Sequence, residues 1–377
     1  MKMKKITALL LALAMSLSLA ACGGDSAPAG GSTPAPTEPA AQTSESADGS
    51  GQTVILDRNG DVYAEVEDAD APTEYPVTLT DQAGREVTIE AKPETLVSGY
   101  YISTSLCIAL GLQDQLVGIE AKADTRPIYA RSAPGLLELP SVGTAKEFDL
   151  EGCAALAPDL VILPLKLQDA ADSLAELGIP ALVVNPEDQT LLEEAVALVA
   201  AATDTRARAA QLADFTVKQQ NRLTELLADV ERPNVYLAGN SDFLSTAGGA
   251  MYQSSMIEMA GGRNVAQEIT DTYWASVSYE QILTWNPDYI VLASDADYTV
   301  EDVMTDPNLA GCKAVENGNV LQIPGDAEAW DSPVPGGILG SVWLSGALHP
   351  DLGIDGENMQ IINEFYETFY GFTYQEI

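Results

Sequence analysis

Among 377 residues the chain carries a single histidine, His349. Capture of bare zinc or manganese needs several imidazoles and carboxylates converging on one ion. One imidazole does not supply that set, and His349, in LHPD near the end of a predicted helix, reads as a capping or packing residue. The sequence holds no G-x-S-x-G elbow, no H-E-x-x-H, no P-loop and no G-x-G-x-x-G after its first strand, so the common hydrolytic and nucleotide chemistries lack their residues. Cys107, Cys153 and Cys312 are scattered without C-x-x-C spacing and suggest neither a disulfide framework nor a metal site. What does recur is a carboxylate in a fixed setting. DLEGCAALAPDLVIL at 149–163 and SYEQILTWNPDYIVL at 278–292 align without a gap, matching Glu151 with Glu280, Pro158 with Pro287 and Asp159 with Asp288. Each copy is an apolar helical turn, a proline that ends it, an aspartate that starts the turn and a buried strand. The chain therefore contains a duplicated α/β unit, with one glutamate at the head of each copy.

These residues must be positioned by an alternation of short apolar runs and helical patterns that begins at Val77. TLVSGYY, QLVGIE, PSVG, DLVILP and PALVVN read as strands, which implies a parallel sheet with helices on its faces and one lobe over 77–203. A single long helix is expected next, from Asp204 to Val230, with Thr203 or Asp204 as N-cap and about 40 Å long. Leu223, Leu226, Leu227 and Val230 mark its packing stripe. The connecting segment 204–232 then leads into a second lobe, 233–377, where NVYLAG, DYIVLAS and NVLQIPG are strands and two helices close the chain.

In open α/β sheets small molecules bind beyond the carboxyl ends of strands. The loops there carry Tyr100, Tyr101 and Ser103, then Thr144 and Lys146, then Lys166, and in the second lobe Asn240, Tyr273, Trp274, Trp330 and Asp331. Aromatic rings at such places can cover the flat or greasy part of a ligand, and Lys146, Lys166, Arg126 or Arg131 can offset negative charge on it. Each aromatic equally suits loop packing, and each long cation a solvated surface.

The first residues concern the compartment. Lys2, Lys4 and Lys5 precede an apolar run from Ile6 to about Leu19, a secretion signal over 1–21 that is shorter than the roughly 20 residues of a spanning helix. LAAC at 19–22 resembles the bacterial lipobox, in which the cysteine, here Cys22, receives the lipid. Residues 22–52, rich in Gly, Ser, Pro, Thr and Ala, cannot bury enough surface to fold. As a coil they reach on the order of 30 Å, a tether that holds a folded body off the headgroups. TVILDRNGDVYAEV, within 53–76, suggests a small hairpin turning at Asn59-Gly60. With 18 basic against 56 acidic residues the net charge is −38, which repels nucleic acid and anionic headgroups.

Taken together, TDQAGREVTIEAKPETLVS, ALGLQDQLVGI, PSVG followed by DLEGCAALAPDLVI, MAGGRNVA, VSYEQILTWNPDYIVL and WLSGALHPD make residues 77–350 resemble the periplasmic-type binding proteins for ferric siderophores, cobalamin and haem, the class with a helical backbone between its lobes. The resemblance implies a non-enzymatic α/β protein of two Rossmann-like lobes, each with a mainly parallel sheet, joined by one long helix that limits closure. Its ligand would lie in the cleft, an iron- or cobalt-containing chelate with no covalent cofactor. Its partners would be the permease subunits of an ABC importer, met through one glutamate per lobe, here Glu151 and Glu280. The expectation is a monomeric lipoprotein on the outer face of the cell membrane that takes up a ferric siderophore, or else cobalamin, another corrinoid or haem. An oxyanion such as molybdate is the alternative cargo. A surface-anchored hydrolase or adhesion protein reusing the fold would need a catalytic constellation in the cleft.

Overall fold

The computed structural model describes residues 53–56, 62–66, 71–272 and 274–374. Strands β1 (Thr53–Leu56) and β2 (Val62–Val66) pair antiparallel with Thr53 opposite Val66. The Asn59-Gly60 turn, the signal sequence, Cys22 and the tether lie outside the described residues.

A hairpin of β3 (Val77–Thr80) and β4 (Glu86–Ile89) opens the body. Its turn is organised by Asp81, whose Oδ1 accepts from the amides of Ala83 and Arg85. Oδ2 of the same carboxylate accepts from Arg85 Nη1 and from the Val183 amide, both within 3.0 Å. Asp81 is 4% exposed, and its full set of donors is what makes a buried carboxylate tolerable. The TDQAGREV segment thereby fastens the hairpin to the sheet that follows.

That sheet consists of β5 (Leu96–Ser98), β6 (Leu116–Gly118), β7 (Leu160–Pro164) and β8 (Ala181–Val184), all parallel, in the order β6-β5-β7-β8. Every residue of β7 and β8 is buried, because helices cover both faces, and this is why the two strands read as unbroken apolar runs. PSVG departs from expectation. It forms no strand and contributes only isolated bridges, Ser141 to Ile119 and Gly143 to Phe148, since Pro140 has no amide to donate and Gly143, at φ +87°, turns the chain away.

The second sheet contains β9 (Asn234–Ala238), β10 (Ser245–Ala247), β11 (Arg263–Asn264), β12 (Trp274–Ser276), β13 (Tyr289–Leu292) and β14 (Val320–Gln322). β9, β13 and β14 run parallel, β11 pairs parallel with the start of β9, and β10 and β12 extend the other side antiparallel. The sheets are separate, so the body has two lobes, each with a mainly parallel sheet.

The connecting helix corrects the sequence reading. It spans Arg206–Leu226, 21 residues or about 31 Å, not Asp204–Val230. Asp204 is instead the left-handed residue that ends the preceding helix, Gln189–Thr203. Its carboxylate is spent on the Thr73 amide and on Lys92. The buried stripe also begins earlier, at Ala209, Leu212, Phe215, Gln219 and Leu223. Against it lies the terminal helix, Asp355–Tyr370. Phe215 meets Phe365 and Phe369 at ring separations of 5.2 and 6.1 Å, and Arg222 pairs with Glu357 at 2.8 Å and with Asn358. At the other end Arg208 donates to the carbonyls of Ala109 and Thr368. One apolar core runs continuously through both lobes around this pair of helices.

Candidate functional site

The carboxyl ends of both sheets face a common cleft. Tyr100 and Tyr101 follow β5, Glu187 follows β8, Asn240 follows β9, Ser294 and Asp295 follow β13, and Glu328 and Asp331 follow β14. Two cavities occupy the cleft, one of about 480 Å³ and one of about 400 Å³, and they share Tyr101 and Asp295 in their walls.

The larger cavity is lined by Tyr100, Tyr101, Asn240, Trp274, Ser294 and Asp331, with Gln253 on its floor. Trp274 is 38% exposed. Its ring fits closely over Gly239, where an added Cβ would meet Cζ3 at 3.0 Å, so a glycine after β9 is what lets the indole lie on the backbone there. Tyr100 and Tyr101 pack edge to face at 5.1 Å. Asp331 is 3% exposed, and its carboxylate receives the Ser294 hydroxyl at 2.6 Å and amide at 3.3 Å. Burial raises its pKa despite those bonds. Gln253 donates to the Asp331 carbonyl at 2.7 Å, and its own Oε1 has no partner among the described residues.

The smaller cavity has Lys122, Arg126, Tyr129 and Glu328 in its wall. The Arg126 guanidinium lies 4.3 Å over the Tyr101 ring, a cation–π contact. Glu328, 7% exposed, accepts the Ser105 hydroxyl from the opposite lobe. Burial pushes its carboxyl up to about 7. Behind this wall Glu120 is buried between Tyr129 and Thr104, whose hydroxyls lie 2.6 Å from its two oxygens. Burial raises its pKa too.

Of the residues singled out from sequence, Tyr100, Tyr101, Asn240, Trp274 and Asp331 therefore meet around one cavity, and Arg126 around its neighbour. Tyr273 lies outside the described residues. Six others, Thr144 among them, need correction as cleft residues, since they line neither cavity. Lys146 and Lys166 are exposed and line neither cavity. Ser103 is 1% exposed, inside the helix Tyr101–Ala109. Trp330 is 1% exposed and gives its Nε1 proton to the Tyr366 hydroxyl at 2.7 Å; it packs behind the cleft while its neighbour Asp331 faces in. Arg131 stacks on Phe372 at 4.2 Å and anchors the end of the chain. Glu328, Gln253 and Ser294 were missed. The only trace in sequence is GDAEAWD, where acidic residues crowd an aromatic just after a strand.

Glu151 and Glu280 are exposed and occupy equivalent positions, in the first turn of the helices Leu150–Ala155 and Tyr279–Trp285. Each follows a side-chain cap three residues before the amide it satisfies. Asp149 accepts from Gly152 at 2.8 Å, and Ser278 from Gln281 at 3.3 Å. Hydrogen bonds from its own amide and from Ser278 hold the Glu280 carboxyl below its usual range. The buried histidine, His349, closes the helix Ile338–Leu348 and touches Gly261, where a Cβ would lie 2.6 Å from Nε2.

Comparison with known proteins agrees with this architecture. Residues 96–327 match the family model described as periplasmic binding protein. The molybdate-binding protein of Haemophilus influenzae is 28% identical over 324 residues, 79% of this chain and 92% of its own. The vitamin B12-binding protein of Yersinia pestis is 29% identical over 58% of this chain and 72% of its own. The solved structure of a Haemophilus influenzae molybdate periplasmic binding protein, with molybdate bound, superposes with a TM-score of 0.70 at 25% identity, covering 79% of this chain and 99% of that one. Matched across more than half its length, with two lobes around an open cleft, the chain belongs to the periplasmic binding protein family, the non-enzymatic substrate-binding components of ABC importers.

Proposed function

We propose that the cargo is a metal chelate, a ferric siderophore first and cobalamin, another corrinoid or haem next. The observation that carries this reading is the cleft itself, in which two cavities of about 480 and 400 Å³ meet at Tyr101 and Asp295. Each has the size of pockets that bury drug-sized ligands, about 300–1,000 Å³. Trp274 and Tyr100 offer apolar faces to such a ligand, and Asn240, Ser294 and Gln253 offer hydrogen bonds around it. The protein works outside the cytoplasm; in this reading it is a monomer held there by a lipid on Cys22, and it meets its permease through Glu151 and Glu280.

An oxyanion is the second reading. It is favoured by the likeness to the molybdate-binding protein and by Arg126, which has no ion-pair partner among the described residues.

Native mass spectrometry and absorbance spectra of protein purified from its host test both. A retained coloured chelate with an iron or cobalt mass is expected. A bare oxyanion in its place, with titrations by ferric chelates, cyanocobalamin and haemin all silent, would overturn the first reading in favour of the second.

A further inference from the structure

The two cavities differ in chemistry. The basic side chains, Lys122 and Arg126, belong to the smaller one. The larger one has four acidic residues in its wall, Glu187, Asp242, Asp295 and Asp331, and no lysine, arginine or histidine. They come from both lobes, and none has an ion-pair partner among the described residues. A bare metal ion is not what they fit, because among the described residues no three metal-ligating side chains converge.

An acceptor without a donor stands beside them. Gln253 lines the floor of the same cavity and is 8% exposed. Its Nε2 is fixed on the Asp331 carbonyl at 2.7 Å, which leaves Oε1 as the free end of the amide. Oε1 has no partner among the described residues. A buried acceptor left unpaired is costly, so this atom calls for a donor from an occupant. The adjoining Asp331 carboxylate, 3% exposed, accepts from Ser294 and has lone pairs to spare, since a carboxylate offers about four acceptor sites. Trp274, in the same wall, supplies an aromatic face that is partly open.

We propose that the larger cavity seats a protonated amino group carried by the organic part of the chelate, with N–H donors for Gln253 Oε1 and Asp331 and with the Trp274 ring beside the charge. An ammonium group answers every one of these features. It brings three donors and no acceptor, acidic side chains complement its charge, and a cation is attracted to an indole face. The proposal rests on the chelate reading above and narrows it to chelates that carry a free amine. It also orients the cargo, because the wall with Lys122 and Arg126 is left for an electronegative part of the same molecule.

The test is calorimetric titration of the full chain with a matched pair of probes. Ferrioxamine B is a ferric tris-hydroxamate with one free primary amine, and its N-acetyl derivative keeps the iron centre but loses the charge and two of the donors. The free amine should bind at least about tenfold more tightly, the loss of one charge-assisted contact. Raising salt from about 0.05 to about 0.5 M should narrow that ratio, since screening acts on the charge alone. Both measurements need no variant. Gln253→Leu, and separately the exposed pair Glu187→Gln with Asp295→Asn, should each reduce the ratio by weakening ferrioxamine B and sparing the acetylated chelate.

Equal Kd values for the two ferrioxamines overturn the amine seat and leave the chelate reading standing. Binding of cyanocobalamin, which has no free amine, with silence towards both ferrioxamines does the same. A wild-type ratio in both Gln253→Leu and the acidic double variant overturns the assignment of the seat to this cavity. Silence towards the ferrioxamines, cyanocobalamin and haemin together overturns the seat and the chelate reading alike.

Discussion

Asp159 and Asp288 perform the same task in the two lobes. Asp159 Oδ2 accepts from the amides of Glu94 and Thr95 and from the Thr95 hydroxyl, at 2.9–3.0 Å, at the point where β5 begins. Asp288 Oδ2 accepts from the Asn234 amide at 2.7 Å, at the first residue of β9, and its other oxygen pairs with Lys313. In each lobe the aspartate after the proline thus registers its own strand against the lobe's first strand, and the duplicated Pro-Asp is a structural clasp.

Asp159→Ala leaves two amides and a hydroxyl to water at an exposed edge. It should lower unfolding free energy by about 1 kcal/mol, the typical value for a lost side-chain cap, and Asp288→Ala by a similar amount. Urea denaturation followed by circular dichroism measures both. Unchanged midpoints would mean that the strand starts are held elsewhere.

Trp274 and Trp330 should separate cleanly. Trp274→Ala removes an exposed ring from the cavity wall and should weaken ligand binding by about 1 kcal/mol or more with little effect on stability. Trp330→Ala empties a site that is 1% exposed and should cost about 3–5 kcal/mol of stability. Isothermal titration and chemical denaturation of the two variants give the comparison; a Trp274 variant that binds like wild type would return that ring to loop packing.

Substituting Glu151 and Glu280 together by Gln should leave ligand Kd unchanged, since both stand on exposed helix starts away from the cavity linings. Uptake through the reconstituted importer should fall, and most steeply at low salt, where the lost charges are least screened, because rim charges act largely on association rate. Transport at the wild-type rate would remove the docking role.

Stability should decline as pH rises from about 5 to 8. Glu328, Glu120 and Asp331 all have carboxyls raised by burial. Between the unfolded value, near 4.5, and the folded one, about 7 for Glu328, the folded chain holds a proton that the unfolded chain has released, and raising the pH through that window favours unfolding. Glu328→Gln should therefore raise Tm at pH 8 and leave it unchanged at pH 5, with each kcal/mol worth on the order of 2–4 °C. Thermal melts of both proteins at the two pH values decide it; equal differences at both would place the effect in packing.

The sequence was most legible where a local period records burial. The apolar runs of β7 and β8 are continuous because both faces of their sheet are covered, and Pro158-Asp159 and Pro287-Asp288 mark the same helix-to-strand junction twice. Helix ends were read less well. Asp204 looked like an N-cap, yet its positive φ ends one helix before Thr205 begins the next, a distinction between two helical turns that composition does not carry.

The sequence by itself determined the two α/β lobes, the duplicated junctions and the pair of glutamates at helix starts, since each is encoded within some fifteen residues of chain. Only the tertiary structure decided which loop side chains share the cleft. Trp330 and Asp331 are adjacent, yet one is buried against Tyr366 and the other faces the cavity. Glu328 is one acidic residue among 56 until Ser105 and Arg126 of the other lobe are set opposite it. The direction of a loop side chain, and the cost of burying its charge, depend on what the distant half of the chain places there.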